Sequence, residues 1–418
     1  MSIIDLKLTY LFSVILRGFT LFSKFALIII LAKILPIKDV GLYGLISAVI
    51  GYTIFLVGFE FYTYSMREMI SSPKIKWMEI IRNQIVFYIF IYIISTPIIF
   101  LIFYFNVLPI NYIGWFCAIF LFEHIAQEIN RILVAEQKQL LASMILFIRQ
   151  GAWCWGAILA MWFNVFTRGL ETVFAFWITG TVIACIIGAK HINTYDKDSL
   201  CKSVDWKWIR NGIFVAVPML IASLAIRGIF TFDRFYVEKI SGLEVLGAYV
   251  LFASMASAIQ SFLDTVVITF SFPKLVKLSS DEMFCAFRNE IFKLSVKVVA
   301  ATLFFSISCW IFSFIILKWL SHESYITHVR ILATLIIATA IYCFSLIPHL
   351  GLYALRCDRH IIISQVLSFF IFIIFCSVGL INKDVFFVPI SLIASFSFLF
   401  LWKTFFFVRK MNDILTVR

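Results

Sequence analysis

Charged side chains are scarce in this chain of 418 residues, at 14%, and histidine, proline and glycine number only 6, 8 and 17. So little charge beside 62% hydrophobic residues excludes an ordinary soluble globular protein, which carries about a quarter charged residues. The six histidines form no cluster with metal-ligand spacing, and the nine cysteines show neither metal nor redox spacing. Cysteines such as Cys154, Cys185, Cys309 and Cys376 lie inside apolar stretches and read as small packing residues, so no disulfide framework, metal or cofactor is expected. No glycine-rich phosphate loop, nucleophile elbow or paired-carboxylate motif falls on a water-facing segment. Half of the polar connectors are only a few residues long, as at 105–111 and 382–383, which leaves no room for a catalytic domain on that side. The expectation is therefore a protein that is not an enzyme.

What fills the chain is apolar sequence, with phenylalanine foremost at 48 residues. A hydrocarbon core about 30 Å thick takes roughly 20 apolar residues per helix. Twelve such stretches begin near Leu11, Leu42, Gln84, Ile113, Leu141, Thr172, Ile213, Val245, Phe292, Ile326, Ile361 and Val385. The first is too long for a signal peptide and carries internal cations, so it reads as a helix of the mature protein. The formal charge of +12 is distributed by side: alternate connectors, counted from the N-terminus, hold 24 Lys and Arg, and the opposite set holds 6. That asymmetry predicts both termini in the cytoplasm and explains the basicity without a nucleic-acid partner.

The longest polar segment, 191–210, contains Asp196, Lys197 and Asp198 and sits at the midpoint. It predicts an all-α integral membrane protein of twelve transmembrane helices: an N-terminal six-helix lobe over 1–190, a cytoplasmic linker over 191–210 and a C-terminal six-helix lobe over 211–418. A repeat supports the division. The segment from Lys33 to Ser47 aligns at constant offset with Lys239 to Ala253, matching Lys33 with Lys239, Ile34 with Ile240, Gly41 with Gly247 and Tyr43 with Tyr249. Two parallel lobes of this kind form a V around a central cavity and work by alternating access.

Polar residues inside the spans mark candidate sites, because a cation near mid-membrane costs ~3 kcal/mol and normally faces a bundle interior or a watery cavity. Ser13, Arg17, Thr20 and Lys24 share one face of the first helix; Arg227, Thr231, Arg234 and Glu238 share one face of the seventh. Glu123 faces the cavity from the fourth helix, where Glu128 can pair with Arg131 three residues on. Arg149, at the end of its helix, is accounted for by snorkelling to the interface. His349, after Pro348, reads as a satisfied core residue at a kink. Glu60, Asp233 and Asp264 are candidates either for ion pairs with the deep cations or for exchange of protons or sodium that couples movement to an ion gradient. An uncompensated part of the positive field would grip phosphate oxygens, for which the planar fork of Arg is suited.

The opening "RGFTLFSKF", the turn "LPIKDVGLYGL" and the segment "TFDRFYVEKISGLEVLGAY", with this topology, resemble the polysaccharide transporters of the multidrug, oligosaccharidyl-lipid and polysaccharide exporter superfamily. Within it the sequence is most similar to Wzx-type O-antigen flippases of lipopolysaccharide biosynthesis. The resemblance implies translocation of undecaprenyl-pyrophosphate-linked oligosaccharide across the bacterial inner membrane. It implies headgroup contacts at Arg17, Lys24, Arg227 and Arg234, and contact with polysaccharide polymerase and chain-length machinery. Trp153, Trp155 and Tyr249 are then candidates to stack on sugar rings. Two alternatives stand beside it: a multidrug or toxin cation antiporter on the same plan, which would want an acidic cavity, and an O-antigen polymerase, which would want a long outward loop.

Overall fold

The structure is a computed structural model that describes residues 3–193, 195 and 203–416; Asp196, Lys197 and Asp198 of the expected linker lie outside the described residues. It is helical almost throughout, with no strand among the described residues. In chain order the helices are α1 (Ile3–Ile34), α2 (Ile37–Gly58), α3 (Tyr62–Ser71), α4 (Trp77–Tyr104), α5 (Ile113–Ala135), α6 (Gln139–Phe147), α7 (Trp153–Phe163) and α8 (Leu170–Ile192). The chain continues through α9 (Trp206–Leu263), α10 (Thr269–Ser280), α11 (Phe284–Leu320), α12 (Glu323–Thr327), α13 (Val329–Ala354), α14 (Asp358–Asn382) and α15 (Phe387–Thr416). Single π turns, Ile148–Ala152 and Asp264–Ile268, join α6 to α7 and α9 to α10.

Ten stretches among the described residues are long and apolar enough to span a bilayer. One of them, Trp206–Ile268, is 63 residues long and counts twice. On a straight helix Asp233 and Tyr249 would stand about 24 Å apart, yet the Tyr249 hydroxyl donates to Asp233 at 2.7 Å. The chain reverses between them at Gly242, whose φ of 79° and ψ of 178° no helix contains. The α5 helix, with Glu123, Glu128 and Arg131, is too polar for the apolar criterion and completes the expected twelve.

The fold divides into two compact units: residues 1–27 with 46–224, and residues 28–45 with 225–418. The boundaries fall within α1, α2 and α9. In the second unit the two repeat segments meet each other. A methyl group on Gly41 would come within 3.0 Å of the Gly247 nitrogen, and one on Gly247 would run into the Ile37 carbonyl. Glycine at both positions lets the backbones of α2 and α9 cross without intervening side chains. Nearby, Lys33 at the end of α1 donates to the Trp319 carbonyl at 2.7 Å and the Leu320 carbonyl at 3.2 Å, capping the C-terminus of α11, where a cation complements the helix dipole. In the first unit α2 ends in a break where Phe59 and Glu60 both take φ of 53°, a region uncommon for bulky residues.

Gly247→Ala is expected to lose about 1–3 kcal/mol to overpacking, read as a lower thermal midpoint in detergent. Gly18→Ala, where nothing lies within 4 Å of the added methyl, is the matched control and should not lower the midpoint.

Candidate functional site

In the first unit the polar residues gather on the π turn that joins α6 to α7. A π turn adds a residue to the helix and redirects the side chains it carries. Here it carries Arg149. Two helices approach it closely: α1, where a methyl on Gly151 would come within 3.1 Å of the Thr20 Cα, and α8, where a methyl on Gly180 would come within 3.0 Å of the Ile148 carbonyl. Arg149 is 5% exposed, and its Nε lies 3.4 Å from Glu123 of α5. The expectation that Arg149 snorkels to the interface is therefore overturned, because the turn directs it inward. Glu123 also accepts a hydrogen bond from the Trp177 indole at 2.7 Å, and Trp177 lies flat against Trp153 with ring centroids 5.4 Å apart.

Lys24 approaches this pair from α1, which also carries Arg17. Lys24 is exposed and lies within electrostatic reach of Glu123 and Arg149. Arg17, half-buried and about two turns away along α1, directs its Nε toward the Ser143 hydroxyl at 3.4 Å. The other members of the stripe, Ser13 and Thr20, are buried, and Thr20 returns its hydroxyl to the Leu16 carbonyl at 2.8 Å. The site thus brings two cations, Lys24 and Arg149, to one carboxylate that Arg149 and Trp177 already engage, with Arg17 further along α1.

Glu60 does not join this group. It is buried at the α2 break, within electrostatic reach of Arg131. Arg131 pairs with Glu128, and its guanidinium stacks 3.6 Å over the Tyr62 ring. Glu128 further accepts from Gln84 and Tyr88 of α4, each at 2.9 Å, and Tyr92 bonds His124 at 2.6 Å. Sequence spacing showed the Glu128–Arg131 pair but not the partners from α4, which lie about forty residues away in the chain. Just beyond α5, outside the spans, Glu136 collects Lys74 at 2.9 Å, His191 at 2.7 Å, Tyr195 at 2.8 Å and Lys138 at 3.6 Å. Partial burial pushes its carboxyl up, but the hydrogen bonds from His191, Lys74 and Tyr195 and the charge of Lys138 outweigh it, pulling the group from 4.5 to about 2.

In the second unit Asp233 is buried and accepts from the Tyr249 hydroxyl and the Arg234 backbone N–H, both at 2.7 Å. Asp264 opens the other π turn and accepts a side-chain hydrogen bond from Gln260. Asp264 and the exposed Arg227 both act electrostatically on Tyr342 of α13. Of the aromatics considered for sugar stacking, Trp153 is buried against Trp177 and Tyr249 is buried on Asp233, so neither presents a free face. Trp155 is partly exposed, bonded to Ser23 at 2.9 Å and stacked on Phe19. His349 is not the satisfied core residue expected: its Nδ1 is buried with no hydrogen-bond partner among the described residues.

Removing one member of a buried ion pair leaves the other unpaired, at about 3–5 kcal/mol, whereas replacing both by apolar residues is often neutral. Glu123→Ala should therefore lower the thermal midpoint strongly, and Glu123→Leu with Arg149→Met should recover most of the loss. At Glu136 the folded value lies below the unfolded one, so its stabilisation is complete above about pH 4.5 and is lost as the pH falls toward 2. A pH series of thermal midpoints should lose that part of its slope in Glu136→Gln.

Comparison with known proteins agrees with this architecture. No curated protein matches the sequence significantly. The fold is shared with an inward-facing multidrug resistance transporter of the MATE family in the MOP superfamily, at TM-score 0.75 and 10% identity over 96% of this chain and 99% of that one. An outward-facing MATE family transporter matches at TM-score 0.62 and 12% identity, over 98% and 96%. A MOP superfamily transporter from Pyrococcus furiosus, described by the reverse polarity of its binding pocket, matches at TM-score 0.61 and 10% identity, over 97% and 96%. A family profile described as "Polysaccharide biosynthesis protein" matches residues 10–279, well over half of the chain. This multi-pass membrane protein therefore belongs to the polysaccharide biosynthesis protein family.

Proposed function

We propose that the protein is a flippase that moves polyprenyl-pyrophosphate-linked oligosaccharide units, such as those of O-antigen, across the bacterial inner membrane by alternating access. The observation that carries this reading is the charge balance at the first unit's π turn. Arg149 occupies Glu123, and Lys24 and Arg17 are left as cations without a carboxylate bonded to either among the described residues. A site of that sign suits an anion, and the pyrophosphate of a lipid-linked sugar supplies oxygens that Arg can grip in bidentate fashion. Membership of a polysaccharide biosynthesis family supports a glycan as the cargo.

A multidrug antiporter is the second reading, favoured by the fold shared with MATE family transporters. An organic cation would meet Lys24, Arg149 and Arg17 in this unit, and like charges repel it. The carboxylates Asp233 and Asp264, both inside the second unit, are the groups that a coupling ion or proton would use on the flippase reading.

In cells that depend on this protein for surface polysaccharide, Arg17→Ala and Lys24→Ala should each abolish glycan display while the protein still reaches the membrane. Arg17→Lys, which keeps the charge and loses the fork, should restore display in part. Full display in both alanine variants would overturn the assignment.

A further inference from the structure

Away from the π turn, the first unit contains a cavity of about 460 Å³ between α4, α5 and α8, within the range of ligand pockets. The α4 helix reaches α5 here through long side chains, Gln84, Tyr88 and Tyr92, and the space beside that bridge stays open. Because Gln84, Tyr88 and Glu128 bond one another and Tyr92 bonds His124, the polar wall turns its hydrogen bonds inward and the lining is overwhelmingly apolar. The slot is open at the side, where Ile85, Ile89, Leu121 and Ile125 are exposed. Along α4 the lining runs from Met78 to Tyr92, a length of about 21 Å. That exceeds half of a hydrocarbon core of about 30 Å, so the slot has the depth of one leaflet.

One end of the slot is basic. Ile192 and Asn193 line it there, and the exposed Lys190 follows the lining residue Ala189. The same end of α5 and α8 carries Glu136 and the groups around it, Lys74, Lys138 and His191. Two lysines and a histidine around a single carboxylate, with the exposed Lys190 close by in the chain, leave positive charge at the membrane surface, where each basic residue attracts anionic lipid.

We propose that this slot holds one acyl chain of an anionic phospholipid from the leaflet on that side, with the lipid phosphate at the Lys74, Lys138 and Lys190 rim. The depth fits a chain rather than a folded partner, the apolar lining fits hydrocarbon, and the rim selects the headgroup by charge. The site rests on the membrane spans alone and is independent of the transport reading.

The test uses the full-length protein in phosphatidylcholine nanodiscs doped with phosphatidylglycerol bearing a photoreactive group in one acyl chain, with adducts mapped by mass spectrometry. Adducts should concentrate on peptides covering 81–92 and 121–132. They should fall roughly tenfold in Ala189→Trp, which fills the slot from an exposed position; Ile125→Trp, also exposed, serves if the first variant does not fold. Leu159→Trp, exposed on α7, should leave them unchanged. Lys190→Gln should weaken phosphatidylglycerol labelling about fivefold, the worth of one basic residue at an anionic surface. Labelling spread evenly over the lipid-facing helices, or unaffected by the filling variants, would overturn the site. Equal labelling by phosphatidylcholine carrying the same photoreactive chain would overturn the choice of headgroup.

Discussion

Inside a bilayer no water is available to satisfy a polar group, so one left without a partner within the protein is costly. That constraint shapes each part of this structure. Hydroxyls on the helices return to their own backbone, as the buried Ser23 does to the Phe19 carbonyl and the partly buried Ser254 to the Val250 carbonyl, both at 2.7 Å. Charges that cannot do this are drawn into pairs, and Glu123 with Arg149, Glu128 with Arg131 and Asp233 with Tyr249 are the result. Lys24 and Arg17 are notable against this background, because among the described residues neither has a bonded carboxylate. A charge left in that condition is costly to keep unless something else uses it.

The repeat of apolar stretches made the helix count legible, since a span of fixed thickness imposes a fixed length and short connectors leave little ambiguity. The shared Gly and Tyr of the two repeat segments also pointed to a real junction, and the structure gives the reason for the glycines: Gly41 and Gly247 lie against each other. What periodicity could not show was the π turn at 148–152. One extra residue in the turn rotates Arg149 from the position of an interfacial residue to that of a buried one, and a regular helical count carries no trace of that rotation. The sequence signal nearest to it was the polar pair Arg149 and Gln150 beside Gly151, in an otherwise apolar stretch.

Partners distant in the chain were equally hidden. Glu60 looked like a counter-ion for the deep cations, yet it sits at a break within reach of Arg131. The break itself puts positive φ on two consecutive non-glycine residues, Phe59 and Glu60, and not on Gly58, the residue before them that a sequence reading would choose. Trp153 and Tyr249 carried the chemistry of sugar-stacking residues, but their polar tips are used for positioning: Trp153 donates to the Arg149 carbonyl at 3.0 Å and Tyr249 to Asp233. Composition identifies which residues can do a task, and packing decides which of them are left available for it.

The crossing of Gly41 with Gly247 also bears on how the chain is made. The second unit is built from 28–45 together with 225–418, so its first piece is synthesised long before the rest. The two glycines are 206 positions apart in the chain, and at ~5–20 residues per second the ribosome takes about 10–40 s to pass from one to the other. Throughout that interval the end of α1 and the start of α2 must stay in the bilayer without the helix they will pack against. Assembly of the second unit is therefore a late event, timed by translation and not by helix formation, which is complete within microseconds.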